Sequence, residues 1–163
     1  MTETILKMQK KVKRYLDKDR YDHTIGVMHT AGCLAMRYGA NLEQALTAGL
    51  LHDCAKCVPA DEKIKLCEKN HIEISDAEYK NPGLLHAKLG AFFARKKYGI
   101  ENEEILRSIE SHTTGRPNMS LLDKIIYIAD YIEPGRDFPG VDKLRTVTYK
   151  NLDYGVLAGL DHT

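Results

Sequence analysis

The chain has 163 residues, 43% of them hydrophobic and 29% charged, the proportions of one globular domain able to bury a real core. Lys and Arg number 24 against 23 Asp and Glu, so no excess of charge points to a nucleic-acid polymer or an anionic membrane surface. The longest apolar run, KIIYIADYI, is too short to cross a bilayer, and MTETILKMQKKVKRYL carries charge where a secretion signal needs an apolar stretch, so a cytoplasmic location is expected.

Apolar residues recur at helical spacing along the chain and strands are hard to find. Residues 4–16 carry Ile5, Met8, Val12 and Leu16 on one face, and the lysines between them read as a solvated face. Residues 20–38 predict a long helix closed by Gly39. Asn41 with Gln44 reads as a capping box, opening a helix to about Cys57. Pro59 starts the short helix PADEKIKLCEKN, and residues 70–81 read as a loop with one helical turn. Asn81-Pro82 opens GLLHAKLGAFFARKKYG, ended by Gly99. A helix over 103–112 stops at TTGRPN, another over 120–133 stops at Pro134-Gly135, and a last one starts near Asp142. NLDYGVLAGLDHT ends in mid-helix without a cap, so the C-terminal end reads as truncated. The expectation is an all-α single domain over residues 1–163, a helical bundle around one core.

The four cysteines, Cys33, Cys54, Cys57 and Cys67, read as reduced core or surface residues. Cys54 and Cys57 form a C-x-x-C, but no second pair stands at zinc-ligand spacing, and a βαβ redox context is missing.

Seven histidines remain to be sorted by their helical neighbours. His23 shares a face with Val27, Ala31 and Leu34. His52 follows Ala45, Ala48 and Gly49, small residues that let another helix come close. His86 lies with Leu89, Gly90 and Phe93, and His112 ends a helix backed by Ile105 and Ile109. These four point inward, as do Asp53 and Asp130, the latter set in IIYIADYIEP. His71 and His162 read as surface residues, and His29 is ambiguous. A buried ionisable group needs a partner, and a divalent cation satisfies several imidazoles and carboxylates together. Six such groups exceed one tetrahedral site and suit two metals with one bridging carboxylate. The competing reading is a set of scattered core histidines bonded to backbone carbonyls.

The order H…HD…H…H…D, carried by RYDHT, LLHDCAK, LLHAKLGA, IESHTTGRPNMS and IYIADYIEPGRDFPGV, resembles the HD-domain metal-dependent phosphohydrolases. The flanking strings RYDHTIGV, LLHDCAK, SHTTGRP and YIADYIEPGRDFPGVD are similar to the YqeK family, from about Tyr15 to Asn151. That resemblance implies an HD-type bundle with a dinuclear site in its core and a bacterial enzyme splitting diadenosine tetraphosphate symmetrically into two ADP. It implies that His23, His52, Asp53 and Asp130 hold one metal, and that His86, His112 and the bridging Asp53 hold the other. It names iron, where the mixed N/O set alone admits manganese, cobalt or zinc. Family members run on beyond this C-terminal end, in a segment expected to help close the nucleotide site.

Two metals can bring a bridging water toward ionisation at neutral pH and present the hydroxide to phosphorus. Asp53, His52 and Lys56 are the expected catalytic residues. The six ligands face the substrate, and Lys56, Thr113 and Arg136 are expected to bind its phosphates. Arg20 and Arg116 are weaker candidates. Expected partners are the dinucleoside polyphosphate, ADP as product, and a second copy of the chain as a homodimer, with neither nucleic-acid polymer nor membrane. The alternatives are a nucleotidase on other nucleotides or alarmones, a non-catalytic nucleotide or metal sensor, and a non-haem iron oxygen carrier. The last has no use for an anion pocket.

Overall fold

The computed structural model of the chain describes residues 1–161; His162, expected at the surface, lies outside them. The described residues form helices α1 (Glu3–Val12), α2 (Lys18–Tyr38), α3 (Leu42–Leu51), α4 (Ala60–Lys69), α5 (Asp76–Lys80), α6 (His86–Tyr98), α7 (Glu103–Ser111), α8 (Leu121–Ile132), α9 (Val141–Lys150) and α10 (Leu152–Asp161), with a 3₁₀ turn over Pro82–Leu85 leading into α6. No strand occurs among them, so the fold is all-α as expected.

Local chemistry sets most boundaries. The Asp17 carboxylate accepts the Arg20 N–H at 2.8 Å and starts α2 earlier than the apolar pattern alone suggests. Gly39 and Gly99, at φ 73° and 70°, end α2 and α6 in the left-handed region. Asn41 caps α3 by accepting the Gln44 N–H at 3.0 Å, but the reciprocal capping boxes are elsewhere, at Ser75/Glu78 and Ser120/Asp123.

Three further boundaries differ from expectation. The first helix stops at Val12 rather than residue 16. The helix expected to reach Cys57 ends at Leu51. Beyond it the chain tightens into three-residue turns, with the Cys54 N–H on Leu51 O and the Lys56 N–H on Asp53 O. The last helix is two: Asn151 is extended, at φ −152° and ψ 113°, and turns the chain between α9 and α10.

Helix α8 is the centre. Ile125, Ile126, Tyr127, Ile128 and Ala129 are all fully buried, so it is apolar on nearly every side and is wrapped by α2, α3, α7, α9 and α10. Helix α3 lies along α2, and Gly49 sets their distance: a Cβ there would stand 2.9 Å from Met28 Cα. Since backbone cannot give way as a side-chain tip can, Gly49→Ala is expected to cost about 1–3 kcal/mol, read as a lowered Tm by circular dichroism. The Gly49 carbonyl also holds His52 (below), so the same change is expected to disturb the site.

Candidate metal centre

Five helices deliver six side chains to one place. His23 comes from the second turn of α2, His52 caps the end of α3, and Asp53 opens the tight turns after it. His86 is the first residue of α6, His112 caps the end of α7, and Asp130 lies in the last turn of α8. Three of the histidines are held alike. The Nδ1 of His52, His86 and His112 lies 2.7, 2.5 and 2.7 Å from the carbonyls of Gly49, Gly83 and Ile109, each three residues back. A carbonyl only accepts, so each Nδ1 carries the proton and each Nε2 keeps a lone pair aimed inward.

Those lone pairs meet carboxylate oxygens and one another. His86 Nε2 lies 3.2 Å from His112 Nε2 and 3.2 Å from Asp53 Oδ1, and His112 Nε2 lies 3.5 Å from that same oxygen. The other Asp53 oxygen, Oδ2, is 3.5 Å from His52 Nε2. His23 Nε2 is 3.0 Å from Asp130 Oδ1. His52 is fully buried and Asp53 is 2% exposed, yet His52 Nε2, His23 Nε2 and Asp53 Oδ1 have no hydrogen-bond partner. These three converging atoms, packed away from water with no donor of their own, are unfavourable alone and are what a cation satisfies. Ligand atoms of His23, His52 and Asp130 fall within 4.8 Å of one another, as do those of His52, Asp53 and His112. The donor set therefore fits a divalent metal, with the two Asp53 oxygens turned toward different histidines.

Charge follows the same layout. Burial pushes the Asp53 carboxyl up, but the surrounding His52, His112 and His86 overcome this and hold it well below the carboxylate range. Asp130 behaves likewise: burial is outweighed by His23 and by the His52 and His112 rings. Burial depresses His52, yet Asp53 beside it and Asp130 beyond leave its pKa raised, whereas burial dominates at His86 and lowers it.

The expected phosphate binders stand around this cluster. Lys56 Nζ lies 3.2 Å from His86 Nε2. Arg136 reaches Asp130 twice, from Nε to the backbone carbonyl at 2.7 Å and from its terminal nitrogen to Oδ1 at 2.5 Å. Thr113 and Arg136 line a pocket of about 270 Å³ with His112, Asp130, Tyr131 and Phe138. The two weaker candidates separate. Arg20 lies 2.9 Å from Asp53 Oδ2 and belongs to the site, whereas Arg116 is bound to Asp123 at 2.5 Å.

His29 and His71 are exposed. The cysteines are free: Cys54 and Cys67 are buried, Cys33 and Cys57 exposed. Burial pushes the Cys54 thiol up to about 12, and its Sγ is turned to the Gly90 carbonyl at 3.5 Å rather than to the cluster. Glu133 was absent from the sequence-based candidates. It is buried, with Oε1 3.1 Å from His23 Nδ1. One sign of it was legible, an acid at the very end of α8, where the helix dipole disfavours negative charge unless something else holds it.

A family model described as HD domain matches residues 20–135. A symmetrical bis(5'-nucleosyl)-tetraphosphatase of Halalkalibacterium halodurans is 47% identical over 152 residues, covering 93% of this chain and 81% of that protein. The Bacillus subtilis protein of the same name is 41% identical over the same shares. Among solved structures, that of a predicted HD superfamily hydrolase involved in NAD metabolism, from Clostridium acetobutylicum, superposes with a TM-score of 0.93 at 47% identity, over 96% of this chain and 82% of that one.

Proposed function

Because this chain belongs to the HD domain family, we propose that it is a dinuclear metal-dependent phosphohydrolase that splits diadenosine tetraphosphate at its centre into two ADP. The observation that carries this is Asp53, whose two oxygens turn toward separate histidine sets, with its Oδ1 and the His52 Nε2 buried and unpartnered. His23, His52, Asp53 and Asp130 would hold one cation, and His86, His112 and Asp53 the other. Iron is the proposed metal. When bound, such a pair supplies Lewis acidity, activating water and neutralising phosphate oxygens.

The protein's own side chains do the rest. The i−3 carbonyls hold three rings with their lone pairs inward, so little reorganisation is needed on loading. Arg136, 38% exposed on the pocket wall, gives a forked donor to a phosphate. Lys56, and Arg20 beside Asp53, add positive charge along the polyphosphate. Thr113 offers a hydroxyl next to His112. The departing ADP leaves with its charge on phosphate, so these cations matter more than a proton donor.

The test is product analysis. With Fe(II) or Mn(II), the chain is expected to release two ADP per diadenosine tetraphosphate. ATP plus AMP would overturn the symmetrical cut, and bound metal without turnover of any nucleotide would favour a sensor. Arg136→Ala is expected to lower kcat/KM by about 10–100-fold, the worth of a charge-assisted hydrogen bond to phosphate.

A further inference from the structure

Glu133 is 4% exposed at the C-terminal end of α8, a costly place for a carboxylate. Two donors hold it there. Its Oε2 accepts the Gly135 N–H at 2.6 Å, and its Oε1 lies 3.1 Å from His23 Nδ1. Helix α2 makes room with Gly26, since any Cβ there would collide with Glu133 Oε2. From outside, Arg145 donates to the carbonyls of Ile132, Glu133 and Arg136 at 3.0, 2.9 and 2.9 Å, fixing the backbone on both sides of this side chain.

We propose that Glu133 is a positioning residue: it fixes His23 in the tautomer whose Nε2 faces the cluster, and it ties that histidine to the loop carrying Arg136. His52, His86 and His112 are oriented by neutral carbonyls of their own chain segment. His23 alone of the four is oriented by a charged group from another helix. With Oε2 engaged by a backbone N–H, the unprotonated Oε1 accepts from His23 Nδ1–H and leaves the Nε2 lone pair for a cation. A carboxylate on the far nitrogen also makes the imidazole a stronger donor to metal. Only a carboxylate serves both partners. Glutamine has one accepting oxygen, so its amide N–H₂ would face either His23 Nδ1–H or Gly135 N–H, donor against donor. The clamp thus couples a metal ligand on α2 to the loop whose Arg136 touches Asp130 on α8.

The inference rests on the metal reading above but not on the substrate, so the test uses Mn²⁺ alone, titrated calorimetrically into the full chain. Glu133→Gln is expected to weaken Mn²⁺ binding by about 10–100-fold and to alter the visible absorption of the Co²⁺-loaded protein. Arg145→Met, which loosens the same loop from outside but keeps the Glu133 carboxylate, is expected to weaken Mn²⁺ binding clearly less than Glu133→Gln does. Equal losses in both variants would mean a general effect of loop stability and would overturn the proposal. Native affinity and an unchanged Co²⁺ spectrum in Glu133→Gln would overturn it and leave the metal centre standing. A native chain that binds no Mn²⁺ would overturn both. Independent of any variant's folding, the native protein loaded with Zn²⁺ is expected to show a low-field, slowly exchanging Nδ1 proton on His23 by NMR. Its absence would count against the clamp.

Discussion

Asp53→Asn is expected to lower kcat/KM by at least about 10³-fold, about 4 kcal/mol of transition-state stabilisation, while the chain still folds. The replacement is almost isosteric at a site only 2% exposed, so the space between His52, His86 and His112 stays filled. What changes is the number of anionic oxygens. Oδ1 faces His86 and His112, and Oδ2 faces His52 and Arg20. An asparagine keeps one neutral oxygen and turns an N–H₂ toward imidazole lone pairs, where it can hydrogen-bond but cannot bind a cation. Arg20 also loses its charged partner. The check pairs steady-state ADP release with metal content measured on the same sample. A variant within tenfold of native activity would show that Asp53 does not join two cations.

How far the sequence reached depended on whether a residue's environment was local. His23, His52, His86, His112 and Asp130 each sit among apolar neighbours one turn away, so their inward direction was legible from helical spacing alone. The structure brings all of them, with Asp53, into one cluster. Glu133 was missed because its neighbours in sequence are Pro134 and Gly135, which read as a solvated stop. Its burial comes from Gly26 and His23, more than a hundred residues away. Arg145 likewise reads as a surface cation until its three carbonyl partners are seen. Arg20 looked like a weak candidate because Asp53 is 33 residues distant and only the packing of α3 on α2 joins them. Helix ends failed for a different reason. The tightening after Leu51 and the break at Asn151 have no glycine or proline to announce them. The fold class was secure because the helical period persists through nearly every segment.

Removing the metal is expected to cost the protein as much stability as any single core substitution. The six cluster residues come from α2, α3, α6, α7 and α8, so a bound cation would tie together helices whose ends otherwise present lone pairs and carboxylates to one another. Binding to the native state alone stabilises by about 2.7 kcal/mol per site at a free cation concentration of 100 Kd, and by about 5 kcal/mol for two such sites. For a chain of this length that is a Tm higher by about 10–20 °C than in chelator. The dependence on concentration is the sharper measurement. Each tenfold rise in free Mn²⁺ above Kd adds about 1.4 kcal/mol for every cation held, so a pair gives twice the slope of a single ion. Native protein is expected to follow the double slope, and Asp53→Asn to fall to the single slope or none. A single slope in the native chain would mean that one cation occupies the cluster and that the two Asp53 oxygens serve it together.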